Sequence, residues 1–182
     1  MPVAARSARR YAEAVFDIAV EQEALVQWAG DVQTIAAFVG EADVRRILDS
    51  ARVPRDEKLR LLTAGLQREI SPAAMNLVRL LVQRDKIGLA PEIQRIFQEM
   101  ADERARIAHA VVTTAVPLSD DEKRAVVARL STITGKQVDV RAVVDESIIG
   151  GVIARIGDQL IDASSRTKLI ALKRSLEGAA TR

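Results

Sequence analysis

The spacing of apolar residues changes period once along this chain, near residue 107, and that change narrows the folds open to it. Upstream, apolar positions recur every three to four residues, as in α-helices that turn one face inward. Downstream, they alternate or gather in short β-branched runs, as in strands. With 182 residues there is room for one medium domain or two small ones. The expectation is a mainly α protein: a six-helix bundle over residues 1–107, then a small α/β domain over residues 108–182.

The helical part can be read segment by segment. Ser7 to Glu23 places Tyr11, Val15 and Ile18 on one face and Ala12, Phe16 and Ala19 on an adjacent one. Two apolar faces on one helix call for two packing partners. Further helices fit Ala24 to Val39, Ala42 to Leu48, and the stretch from the break at Pro54 through Leu66. Ser71 and Pro72 are a cap and a first-turn proline, and they open a helix over Ala73–Arg84. There Leu77, Val78, Leu80, Leu81 and Val82 leave only a narrow polar strip of Asn76, Arg79 and Gln83, the pattern of a central helix. Gly88 and Pro91 mark the turn into a sixth helix carrying Ile93, Phe97, Met100 and Ile107.

Beyond it the order reads β-α-β-β-β-α. "AVVTTAV" stops at Pro117, and Ser119 caps a helix that begins with Asp120, Asp121 and Glu122. "QVDVRAVVD" alternates, with Val138, Val140, Ala142 and Val144 on one side. "GGVIARI" and "QLIDAS" are strands joined at Gly157-Asp158, a pair suited to a two-residue turn. Ser164 or Ser165 is then expected to cap a final helix bearing Leu169, Leu172 and Leu176.

Composition excludes several chemistries. There is no cysteine, so disulfides, thiolate metal sites and a cysteine nucleophile are out. His109 is the single histidine and lies near a strand start, where a structural or exposed role fits better than ligation. Asp120, Asp121 and Glu122 sit at a helix start, where the dipole accounts for them. Gly150, Gly151 and Gly157 do not form a phosphate loop, which needs a lysine and a hydroxyl directly after its last glycine. No catalytic residue, metal or cofactor is expected.

The net charge is +2, with no basic stripe and few aromatics, so nucleic acid is not expected as a partner. The longest uncharged run, Ile107 to Ser119, has 13 residues, too short to span a bilayer. Arg6, Arg9 and Arg10 are not followed by an apolar segment, so no secretory signal is read. Tyr11 and Trp28 are open to two readings, as core residues or as anchors for a partner.

Three segments, in order, resemble one family: "SARRYAEAVFDIA", "NLVRLLVQRDKIGLAPEI" and "VVDESIIGGVIARIGDQLIDASSRTKL". They are similar to the delta subunit of bacterial F-type ATP synthases, the counterpart of the mitochondrial oligomycin-sensitivity-conferring protein. The resemblance implies a non-catalytic stator in the peripheral stalk, linking the catalytic head to the membrane-anchored b subunits. It implies one copy per complex, attached peripherally to the cytoplasmic side of a bacterial inner membrane, without inserting into it. It further implies that the first and fifth helices receive the N-terminal helix of an alpha subunit, with Tyr11, Ala14, Val15, Asn76 and Leu80 at that site. The b-subunit helices would meet the region of Gly150, Gly151 and Gly157. Two other readings of the residues stay open: a generic adaptor for some other amphipathic helix, and a nucleotide switch in the α/β part.

Overall fold

The computed structural model describes residues 3–148 and 150–162. They are mainly helical, with a small four-stranded sheet toward the C-terminus. They separate into two compact units that divide between Asp102 and Glu103.

Six α-helices come first: α1 (Val3–Glu21), α2 (Leu25–Gly40), α3 (Ala42–Asp49), α4 (Arg55–Leu66), α5 (Pro72–Gln83) and α6 (Ala90–Ala105), the last preceded by a 3-10 turn at Ile87–Leu89. They share one core, in which Phe97, Ile35, Leu62, Leu66, Leu81, Ile93 and Val78 are the largest fully buried side chains. Phe16 meets Phe97 edge to face, with ring centroids 5.8 Å apart. Trp28 is 4% exposed and belongs to this core, which settles the choice left open for it. At Gly65 on α4 the ring of Phe38 from α2 occupies the space a side chain would take, so an added Cβ would force that ring to move.

Helix ends explain where the sequence reading and the structure differ. α5 starts where the Ser71–Pro72 pair says it should, and Ser71 Oγ accepts a hydrogen bond from the Ala74 N–H at 3.1 Å. Three helices, however, end on non-glycine residues with positive φ: Glu23, Asp85 and Arg106, each at 53°. After α1 and α5 the chain closes with paired bonds, Ala24 N–H to Ala19 O and Lys86 N–H to Leu81 O, spanning five residues each. Glycine is the usual signal for such a stop, so sequence alone did not announce these. As a result Ile107, expected in the sixth helix, is instead the first residue of a strand.

The second unit runs β1 (Ile107–Thr114), α7 (Asp120–Thr134), β2 (Gln137–Val144), β3 (Val152–Ile156) and β4 (Gln159–Asp162). The sheet order is β2-β1-β3-β4, with β1 and β2 parallel and the other neighbours antiparallel. α7 lies between the two parallel strands in sequence, as a parallel connection requires. Its Leu130, with Val126 and Val127, packs on Ala110, Val112, Val138, Val140 and Ala154 of the sheet. Alternation in β2 holds over its first half only: Val138 and Val140 are buried, but Ala142 and Val144 are exposed. The final helix expected after Ser164 or Ser165 lies outside the described residues.

Candidate functional site

α1 buries Ala8, Ala12, Val15 and Ala19, spaced i, i+4, i+7 and i+11. The neighbouring stripe has the same spacing and is less buried: Ala14 and Ile18 are exposed, Ser7 and Tyr11 half-buried. On α5, the capped start and the burial of Ala74, Met75, Leu77, Val78, Leu81 and Val82 fix the rotation of the helix. Leu80 is thereby turned outward, 41% exposed. Between the two helices lies a groove of about 510 Å³, lined by Ser7, Arg10, Tyr11 and Ala14 on one side and by Leu80, Arg84 and Lys86 on the other. Tyr11 is half-buried and packs on the helical core, so it is both a core contact and part of the groove wall.

Of the five residues assigned from sequence to this place, the structure brings Tyr11, Ala14 and Leu80 together. Asn76 is exposed one turn before Leu80 and does not line the groove; its side-chain oxygen accepts from Arg79 Nη1 at 3.0 Å. Val15 is a correction: at 4% exposure it is a core residue and cannot meet a partner. The reason is helical phase, since successive residues are about 100° apart and Val15 therefore points well away from Ala14. Ile18, 40% exposed on the next turn of α1, continues the outward stripe that the sequence reading had merged with Val15.

The rim carries charge that periodicity did not reveal. Arg10, Arg84 and Lys86 are exposed beside the apolar floor. Lys86 reaches this position because the chain turns sharply at Asp85, past the end of α5. Arg55 hydrogen-bonds the Asp85 carboxylate, through Nε at 3.1 Å, and holds its pKa below the ordinary range; the fields of Arg55, Lys58 and Lys86 add to this. Underneath, Asp31 accepts from the Ser71 N–H at 3.2 Å and ties α2 to the start of α5.

The glycines of the second unit sit apart from the groove-forming helices in sequence and in unit. Gly150 and Gly151 precede β3 with φ of 156° and 90°. Gly157, at φ 55°, takes the first position of the two-residue turn between β3 and β4, where Ile156 pairs with Gln159. His109 is 57% exposed, with Nδ1 3.4 Å from Asp139 Oδ2 on the paired strand. Glu122 accepts from the Ser119 N–H at 2.9 Å and from its hydroxyl at 2.7 Å, and these bonds hold its carboxyl below the usual range. That capping box uses the acidic triplet as a helix start. Among the described residues, no three His, Asp or Glu side chains gather as a metal site would require, and no helix is long and apolar enough to cross a membrane.

The structure thus combines a six-helix unit, whose first and fifth helices border a groove with an apolar floor and a basic rim, with a small mixed sheet. The chain belongs to the ATP synthase delta (OSCP) subunit family, whose model matches residues 8–176. The ATP synthase subunit delta of Marinobacter nauticus is 34% identical over 169 residues, covering 93% of this chain and 95% of that protein. That of Thioalkalivibrio sulfidiphilus is 35% identical over 162 residues, covering 89% and 91%. Among solved structures, a chain of the Toxoplasma gondii mitochondrial ATP synthase hexamer superposes with a TM-score of 0.65. The alignment covers 97% of this chain and 98% of that one at 23% identity, a likeness of fold.

Proposed function

We propose that this chain is a stator subunit of an F-type ATP synthase and that the groove between α1 and α5 is its attachment to the catalytic head. The chain is a structural subunit of the peripheral stalk, attached peripherally to a membrane-bound complex. In the proposed arrangement the six helices act as one bundle, and the occupant of the groove is the N-terminal helix of an alpha subunit. The second unit, around Gly150, Gly151 and Gly157, meets the b-subunit helices. The complex lies at the inner membrane of a bacterium, with this subunit in one copy on the cytoplasmic side.

The observation that carries the reading is the outward stripe. Tyr11, Ala14 and Leu80 meet at one groove, although α1 and α5 have already satisfied a core with other residues. Leaving Leu80 and Ile18 exposed forgoes hydrophobic stabilisation, of which full burial of such a side chain supplies roughly 1.5–3 kcal/mol. A partner helix with its own apolar stripe recovers it. Ala14 is small, so that helix can approach closely. The task requires holding against the torque of the rotor, and a helix laid in a groove resists through buried area with no chemical step.

The test is calorimetric titration of the full chain with a synthetic peptide of the cognate alpha subunit's N-terminal segment. Wild-type protein should bind saturably. Ala14→Asp, which sets a carboxylate against the apolar face of the helix, should weaken binding by about tenfold or more. Equal affinity in a folded Ala14→Asp variant removes the groove from this role.

A further inference from the structure

We propose that the groove also reads charge: it accepts an amphipathic helix whose carboxylates lie at the Arg10–Arg84–Lys86 end and whose basic residues lie beside Asp17 and Glu21. This rests on the groove's being a helix-docking site and adds what kind of helix it takes and which way its charge must run.

The charged side chains that line the groove are all basic, and the edge of α1 that carries one of them turns acidic further along. Arg10, Arg84 and Lys86 converge from two helices on one end. Asp17 and Glu21 follow Arg10 on α1 at i+7 and i+11, so all three lie along one edge of the helix, and all are exposed. From Arg10 to Glu21 the edge is about 16 Å long, roughly three turns of a partner helix.

None of these five groups forms an ion pair among the described residues. Other surface charges of the helical unit do: Arg9 bonds Glu13 at 3.0 Å, Arg95 bonds Glu92 at 2.7 Å, and Arg55 bonds Asp85. Asp85 is the carboxylate next to both Arg84 and Lys86 in sequence, yet it is held by Arg55 on α4. The carboxylate nearest these cations in sequence is thus hydrogen-bonded to Arg55, with Lys86 acting on it only through its field.

An exposed charge stabilises little while water surrounds it. When an apolar helix covers Tyr11 and Leu80, water leaves the rim, and a carboxylate opposite the three cations becomes a specific contact. A helix docked the other way sets like charges against each other at both ends, which an interface penalises strongly. Apolar burial thus holds the helix in place, and charge order fixes its direction.

The experiment uses the full chain and the same alpha-subunit peptide, with affinity measured as NaCl rises from about 50 to about 500 mM. Wild-type affinity is expected to fall with salt. Arg10→Glu combined with Arg84→Glu should lose about tenfold or more and abolish or invert the salt dependence. Arg10→Gln with Arg84→Gln should lose less and flatten the salt slope. Asp17→Lys with Glu21→Lys should weaken binding a few-fold, and circular dichroism checks that each variant is folded. If these variants bind as wild type with no salt dependence, while Ala14→Asp still loses binding, the charge reading is overturned and the groove stands. Tighter binding by the Arg→Glu pair also overturns it, since the partner then has the opposite charge order. Absence of wild-type binding removes both readings.

Discussion

The two units handle apolar surface differently. The helical unit draws its core from all six of its helices, with Phe97, Ile35, Leu62 and Leu81 among its largest fully buried side chains. The sheet unit, among the described residues, buries Ala110, Val112, Leu130, Val138, Val140 and Ala154, mostly small ones. Exposed apolar residues are arranged differently too. On α1 and α5, which border the groove, Ile18 and Leu80 are the exposed large members, while Val26 and Ile47 stand singly on α2 and α3. In the sheet they are spread over Val111, Val143, Val144 and Leu160, on three strands. A helix can give one stripe to the core and keep a second intact for a partner. A strand sends alternate residues to opposite faces, and only one face here is covered by α7. The helical unit can thus keep apolar residues at its surface without loosening its own core.

This contrast can be broken most directly in the helical core. Phe97→Ala removes the ring that Phe16 packs against and should cost about 3–5 kcal/mol. Urea unfolding followed by Trp28 fluorescence should show the helical transition move to markedly lower denaturant. A change far below this range would mean that the core is less tightly packed than its burial indicates.

A smaller change tests whether the units unfold separately. Val112 is fully buried beneath α7, and Val112→Ala deletes two methyl groups, roughly 2 kcal/mol. The Trp28 signal should stay at its wild-type midpoint, while amide exchange in the sheet accelerates. If both signals shift together, the contrast between a strong and a weak unit fails.

The smallest effect is expected on acidification. Glu122 has its carboxyl held low by hydrogen bonds from Ser119, so its charge contributes stability above the unfolded glutamate range of about 4.3. That contribution is lost as pH falls through the lower folded value. Glu122→Gln should therefore be less stable than wild type near neutral pH, and the gap should close below about pH 4. A gap that is constant with pH would place the capping box outside the acid response of the sheet unit.

The sequence was most legible where a residue's own chemistry sets the backbone. Ser71–Pro72 and Ser119 placed the starts of α5 and α7, and Gly157 placed the turn between β3 and β4. It was least legible at helix ends closed by Glu23, Asp85 and Arg106, where non-glycine residues take positive φ and the closing bonds run between backbone groups, which no side chain announces. Misplacing Ile107 followed from that. The groove was half legible: the i, i+4, i+7 stripe of α1 can be counted from the sequence, but which of two adjacent stripes faces inward cannot. Val15 shows the difference, since it satisfies the apolar pattern and points into the core.

What the sequence determined by itself was the succession of helices and strands and the family to which they belong, because periodicity and capping act over a few residues. What only the tertiary structure decided was which apolar residues remain at the surface and which charges stand beside them. Arg10, Leu80, Arg84 and Lys86 converge from separate parts of the chain. Their meeting depends on how α1 and α5 rotate when their other faces are buried, and that rotation is set by the shared core rather than by either helix alone.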